Sequence, residues 1–315
     1  MTGTLTARPK SEPKRHHYLP EFYLRGFCRD GDLWLFDRQR DAFRKQTPEN
    51  TGVQKLYYAF KDQAGARHTE IENFLSRVEG DAKHCIDRLR ARHGLSSEER
   101  QKFALFLALM HTRVPEFHEL IQEMNEKTTK GMMQRLARQP GALERLVARA
   151  DDSGGDPSVT AEQMREFIER AEYRVRIDRA SSLRPMMELT FGLANALFAA
   201  NWGVLEAADG TSFVTSDNPV FPSYPKQEGF YPTPFLSPNV AKIAPLAHDT
   251  LLIMAGSGGL HVRRTADRAS VRAYNVLTAH ACLDYVIGRD EALVRSIVAR
   301  AKVRTRPPRE RIRTG

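Results

Sequence analysis

His16 and His17 stand together in KRHHYLPEFYLRGF, residues 14–27. Imidazole titrates near neutral pH and binds borderline metal ions, so the pair suits a metal ligand or a general base. In an extended segment the two rings point to opposite faces. One can then serve chemistry while the other packs, and His17 is the residue expected at the site. The alternative is a hydrogen-bonded histidine that fixes local structure.

Carboxylates come next. Glu72 and Glu79 lie seven residues apart on one predicted helix, each directly after a residue of its apolar face (Ile71, Val78). Two turns bring them to the same side, where they can reach into a cleft and hold a hard metal ion. Glu79 can equally pair with Lys83 one turn on. Arg113 follows the stripe Phe103, Phe106, Met110 and falls on the apolar side of its helix. A cation there requires a carboxylate or a bound anion. It stabilises developing negative charge in one reading, and forms an internal salt bridge with Glu72 or Glu79 in the other.

A further polar group sits in TSFVTSDNPV (211–220), where a β-type run stops at Ser216, Asp217, Asn218 and Pro219. Asx and Ser side chains ahead of proline make tight turns with their own backbone. A carboxylate and hydroxyls at a strand end are also placed as site residues often are. Asp217 is therefore both a catalytic and a metal-ligand candidate, with Ser216 and Asn218 beside it in binding roles. Asn275, near the buried side of a late helix, can orient a ligand or cap a network.

The elements that must position these groups follow from hydrophobic spacing. PEFYLRGF reads as a short helix with Pro20 in its first turn and Gly26 as its stop. Residues 31–47 alternate around a hairpin turn at 37–41, and VQKLYYAF (53–60) reads as a strand. Apolar positions from Ile71 to Leu89 follow helical spacing. Ser96 or Ser97 caps the next helix, which is apolar nearly all round at 103–110 and so central. Pro115 kinks or interrupts it. DDSGGDPS (151–158) is a loop, Thr160 opens another helix, and 183–202 forms a second core helix. Strands resume at WGVLEA, TSFVTSD and TLLIMAG. Between the last two, residues 218–238 contain six prolines and read as a lid or binding surface. DRASVRAYNVLTAHAC (267–282) is helical, and LDYVIGR closes as a strand.

The expected architecture is α+β: a small, mostly antiparallel sheet of N- and C-terminal strands with a large central helical region. A basic leader (1–14), a single domain (15–300) with a helical insertion over about 68–200, and a basic tail (301–315) make up the chain. A weaker subdomain boundary falls near 150–160.

Composition narrows the class. The 315 residues are 41% hydrophobic and 28% charged, as in an ordinary globular protein. No apolar run approaches the roughly 20 residues of a membrane span, and the N-terminus lacks the apolar core of a signal peptide. Cys28, Cys85 and Cys282 are too few and too scattered for a disulfide framework or a cysteine zinc site. A cytoplasmic setting is the simplest expectation. The net charge of +9 is concentrated at the ends: residues 302–315 carry +5, residues 1–17 carry +3, and the body carries +1. Such tails either bind nucleic-acid phosphates or remain solvated. The GxxxxGK[ST], GxSxG and HExxH signatures are absent, and GSGGL (256–260) has the wrong spacing for a dinucleotide loop.

HHYLPEFYLRGF, the aromatic hairpin, the paired glutamates, TSDNPV and the helix with Asn275 together resemble the bacterial family catalogued as domain of unknown function four-two-three-eight, from about residue 14 to 290. The resemblance implies that His16, His17, Tyr18, Pro20 and the Thr215–Pro219 turn belong to one arrangement, with Tyr18 in a binding role. The run 237–254 departs from that family's pattern. His16, His17 and Pro20 are also similar to the short histidine–proline string of certain metal nucleases, although here the helix precedes the hairpin. These readings lead to a metal-dependent hydrolase, a nuclease or phosphodiesterase, using Mg, Mn or Zn. The rival is a non-catalytic module that binds nucleic acid or protein, with a structural polar cluster. Metal-free acid–base chemistry is a third possibility. Oligomeric state is not legible.

Overall fold

The computed structural model describes residues 16–54, 69–152, 159–175, 179–223, 235, 237 and 240–305. The leader, residues 55–60 of the third expected strand, most of the proline-rich loop, residues 153–158 of the expected loop, and the tail from 306 lie outside the described residues. The class is α+β, and the chain divides into two compact units, residues 1–114 with 186–315, and residues 115–185.

The first unit holds three sheets among the described residues. A two-stranded ribbon joins β1 (His16–His17) to β4 (Val53–Gln54), with His17 opposite Val53. A four-stranded antiparallel sheet has the order β3 (Ala42–Gln46), β2 (Leu33–Asp37), β11 (Tyr285–Gly288), β6 (Thr215–Ser216). The terminal parts of the chain thus share a sheet, as the strand pattern implied. A five-stranded sheet of late strands accompanies it, ordered β10 (His261–Ala266), β5 (Asn201–Ala207), β9 (Thr250–Ala255), β8 (Lys242–Ala247), β7 (Phe221–Pro222). Its β10–β5 pair is parallel. The expected TSFVTSD strand shrinks to Thr215–Ser216, because Phe213 and Val214 are buried as loop.

Besides β7 and β8, β10 and the helix after β11 emerge only here. β10 reads HVRRTA, an edge strand whose first five residues are mostly exposed, so no apolar alternation marks it. α9 (Glu291–Ala301) follows directly on β11 and is capped by Asp290, whose side chain accepts from the amide of Leu293.

Helices supply most of the core. α2 (Thr69–Arg90) buries Leu75, Val78, Ala82, Cys85, Ile86 and Leu89 on one face. Ser96 and Glu99 form a capping box that opens α3 (Ser97–Thr112). α3 is buried nearly all round between Phe103 and Met110, which makes it central as its composition required. It ends before Arg113, and Pro115 begins a new helix, α4 (Pro115–Ala137). The part of α7 (Arg179–Ala199) from 186 onward contributes Leu193 and Leu197 to the same core.

α1 (Glu21–Arg25) is set by two close approaches. Gly26, in ordinary helical geometry at φ −62°, lies where an added Cβ would stand 3.3 Å from Ala247 Cβ. Its role is therefore space, in contrast to the usual left-handed cap. Gly52 accepts from the amides of Tyr18 and Leu19. It has φ +66°, and an added Cβ would stand 2.7 Å from Leu19 Cβ.

The second unit contains α4, α5 (Ala142–Asp152) and α6 (Ala161–Arg170) around a small core of Ala137, Leu143 and Ile168. Thr160 and Gln163 form the capping box of α6.

Candidate functional site

Arg113 sits just past the end of α3 and is 7% exposed. Its Nη1 donates to Glu79 Oε1 at 2.8 Å, and its Nη2 donates to the His17 carbonyl at 2.9 Å. The buried cation therefore has a carboxylate partner and joins α2, α3 and β1, satisfying the condition for its burial. Glu79 is engaged by Arg113 in place of Lys83. The structure brings His17, Glu79 and Arg113 together, with main chain and not imidazole as the contribution of His17. The ring of His17 has a buried Nδ1 with no hydrogen-bond partner. The side chains of His16 and Glu72 lie outside the described residues, although their backbones place them on β1 and α2.

Asp217 belongs to a different group. Its two oxygens accept from the amides of Leu283 and Asp284 at 2.8 and 2.7 Å. Arg38 holds the same loop from the other side, donating from Nη1 to the carbonyls of Cys282 and Leu283. Asn218 Nδ2 donates to the Ala281 carbonyl at 3.1 Å, while Ser216 Oγ donates to the Asn218 carbonyl at 3.0 Å. An anion thus binds the N–H groups and a cation binds the C=O groups of the connection between α8 (Arg268–Ala281) and β11. Burial raises the Asp217 carboxyl to about 6, outweighing the amide bonds that favour its ionised form.

Asn275 on α8 is likewise matched to main chain. Its Oδ1 accepts from the Val214 amide at 2.9 Å, and its Nδ2 donates to the Ser212 carbonyl at 2.8 Å. The side chain replaces a strand neighbour for the segment leading into β6.

Tyr23 escaped the sequence reading. Its hydroxyl is buried against Thr215 Oγ1 at 2.6 Å and donates to the Pro245 carbonyl at 2.8 Å. Burial raises its pKa. This bond is the physical junction between PEFYLRGF and TSDNPV. Tyr18, five residues earlier, is also buried, its amide donating to the Gly52 carbonyl. His111 was also missed as more than an isolated histidine. Its ring stacks on Phe235 with centroids 4.0 Å apart, its Nδ1 lies 2.9 Å from the Val220 carbonyl, and burial lowers its pKa to about 4.

A cleft of about 520 Å³ opens where α1, α2 and the end of β8 meet. Phe22, Tyr23 and Leu246 supply apolar lining, with Arg25, Glu79, Lys83 and Arg90 also present. Arg25 pairs with Glu21 and Glu49, and Arg90 with Asp249, so most of these charges are already matched.

Among the described residues, no group of three or more His, Cys, Asp or Glu is placed to hold a metal ion. Glu79 is bound by Arg113, and Asp217 by two amides. The described set does not fit a divalent ion. Among the described residues no helix is long and apolar enough to cross a membrane.

Fold and site define an α+β protein whose polar side chains staple loops and helix ends around its sheets. The chain belongs to the family described as "Protein of unknown function (DUF4238)", whose profile matches residues 15–292. Comparison with curated proteins and with solved structures gives no match.

Proposed function

We propose that this chain is a non-catalytic nucleic-acid-binding module whose polar cluster is structural and whose basic tails make the phosphate contacts. One observation carries this reading: Arg113, Asp217 and Asn275 each bind main chain of their own fold. Catalytic groups instead need free valences aimed at a substrate. The charge distribution supplies the partner, since +5 and +3 at the two ends suit a polyanion.

The test is fluorescence anisotropy with single-stranded and duplex oligonucleotides over a salt series. Lys302 and Val303 make backbone bonds to the end of α9, and Arg304 accepts from Arg38, so truncation should begin at residue 306. That removes Arg306, Arg309, Arg311 and Arg313. The slope of log K against log salt should fall by about 3, at roughly 0.8 per phosphate contact. Unchanged affinity and slope would refute the role of the tail.

Hydrolysis at a divalent metal is the second reading, favoured by the unpartnered Nδ1 of His17. Elemental analysis and a phosphodiester-cleavage screen with Mg²⁺, Mn²⁺ and Zn²⁺ separate the two. The module predicts no retained metal and no cleavage. Chelator-sensitive cleavage that is lost in His17→Ala overturns it.

A further inference from the structure

α4 buries one side against α5 and α6 and leaves a continuous stripe uncovered. Leu120, Met124 and Met132 are 49, 54 and 66% exposed, and Thr128 completes their row at four-residue spacing. The adjacent row is Glu123, Lys127, Gly131 and Arg135, whose charged members make no ion pair among the described residues. Leu120 and Arg135 stand about 22 Å apart along the axis.

Gly131 is the telling position. A glycine inside a helix is worth about 1 kcal/mol less than alanine, so a packing reason is expected. None is found among the described residues, where an added Cβ would meet nothing within 4 Å. Close approach of a second backbone supplies the reason. The flanking methionines can adapt to an opposing surface.

Charge selects the occupant. The exposed charges beside the stripe are Glu123 in the first half of α4 and Lys127 and Arg135 in the second, whereas Glu126 and Lys130 pair with each other. A parallel copy would set Glu123 against Glu123, whereas an antiparallel copy sets Glu123 beside Lys127. We infer that the exposed stripe of α4 is a homodimer interface, in which α4 packs antiparallel on α4 of a second copy about a two-fold axis near residue 126. Leu120 then faces Met132 of the second copy, Met124 faces Thr128, and Glu123 lies beside Lys127, each contact occurring twice as a two-fold requires. A single helix pair is a small interface, so the dimer is a weak one.

Sedimentation velocity on the full chain tests this. A reversible dimer should form by about 100 μM, the affinity range of small interfaces. Met124→Glu should weaken it at least tenfold while the thermal midpoint stays in place. Glu123→Lys should weaken it, and adding Lys127→Glu to the same chain should restore it. Gly131→Leu should raise the thermal midpoint of the monomer yet weaken the dimer, a combination that a purely local helix effect does not produce. A parent chain monomeric throughout, a dimer indifferent to Met124→Glu, or a double charge swap without rescue overturns the inference.

Discussion

The hydroxyl of Tyr23 and the Oγ1 of Thr215 lie 2.6 Å apart, 192 residues distant in sequence. Tyr23 also donates to Pro245, a strand residue at an irregularity in the β8–β9 register. Proline offers no ladder amide there, and its carbonyl is taken by the tyrosine. The first helix is thereby tied to the four-stranded and the five-stranded sheet. Tyr23→Phe should cost about 1–2 kcal/mol, the value of a buried hydrogen bond plus an orphaned acceptor. Adding Thr215→Val should cost less than the sum of the single changes in a denaturation cycle. Strict additivity would show that the bond is not coupled.

Arg113 and Glu79 should respond unequally to removal. Glu79, 28% exposed, can rehydrate, whereas Arg113 at 7% cannot. Glu79→Ala should therefore cost about 3 kcal/mol, and Arg113→Met less, by urea unfolding. The reverse order would mean that the guanidinium has other compensation.

Asp217 makes a pH prediction whose sign is unusual for an acid. Its folded pKa is raised from 3.8 to about 6, so the folded state holds the proton more tightly than the unfolded chain. Its contribution is fully present below about pH 4 and is lost as pH rises through about 6, by roughly 3 kcal/mol. Asp217→Asn should flatten that part of the stability profile. Asp217→Ala, which strips the amides of Leu283 and Asp284, should lower stability by about 2–4 kcal/mol at neutral pH. An Asn variant with the parental slope between pH 4 and 6 would assign the dependence elsewhere.

Gly52→Ala should be among the most disruptive single-methyl changes in the first unit. It imposes a side chain on φ +66° and drives Cβ to 2.7 Å from Leu19 Cβ. A loss of about 2–3 kcal/mol is expected from strain and overpacking together. A loss below about 1 kcal/mol, the cost of a left-handed alanine alone, would show that Leu19 yields freely.

Local chemistry was legible from residues alone. The periodic apolar face of α2, the all-round burial of α3, the caps at Ser96 and Thr160, the hairpin at 33–46 and the α+β class all depend on neighbours a few positions apart. The requirement that Arg113 find an anionic partner was legible too, because a buried cation admits few alternatives. Tertiary structure decided which partner. Glu79 meets Arg113 across 34 residues, and Asp217 reaches the amides of Leu283 and Asp284 across 66 and 67. The same carboxylate types at the same spacing suit a metal site or a staple, and only the approach of distant main chain distinguishes them. β10 and the junction at Tyr23 were hidden for a related reason: their hydrogen bonds depend on partners that strand pairing and helix packing bring near.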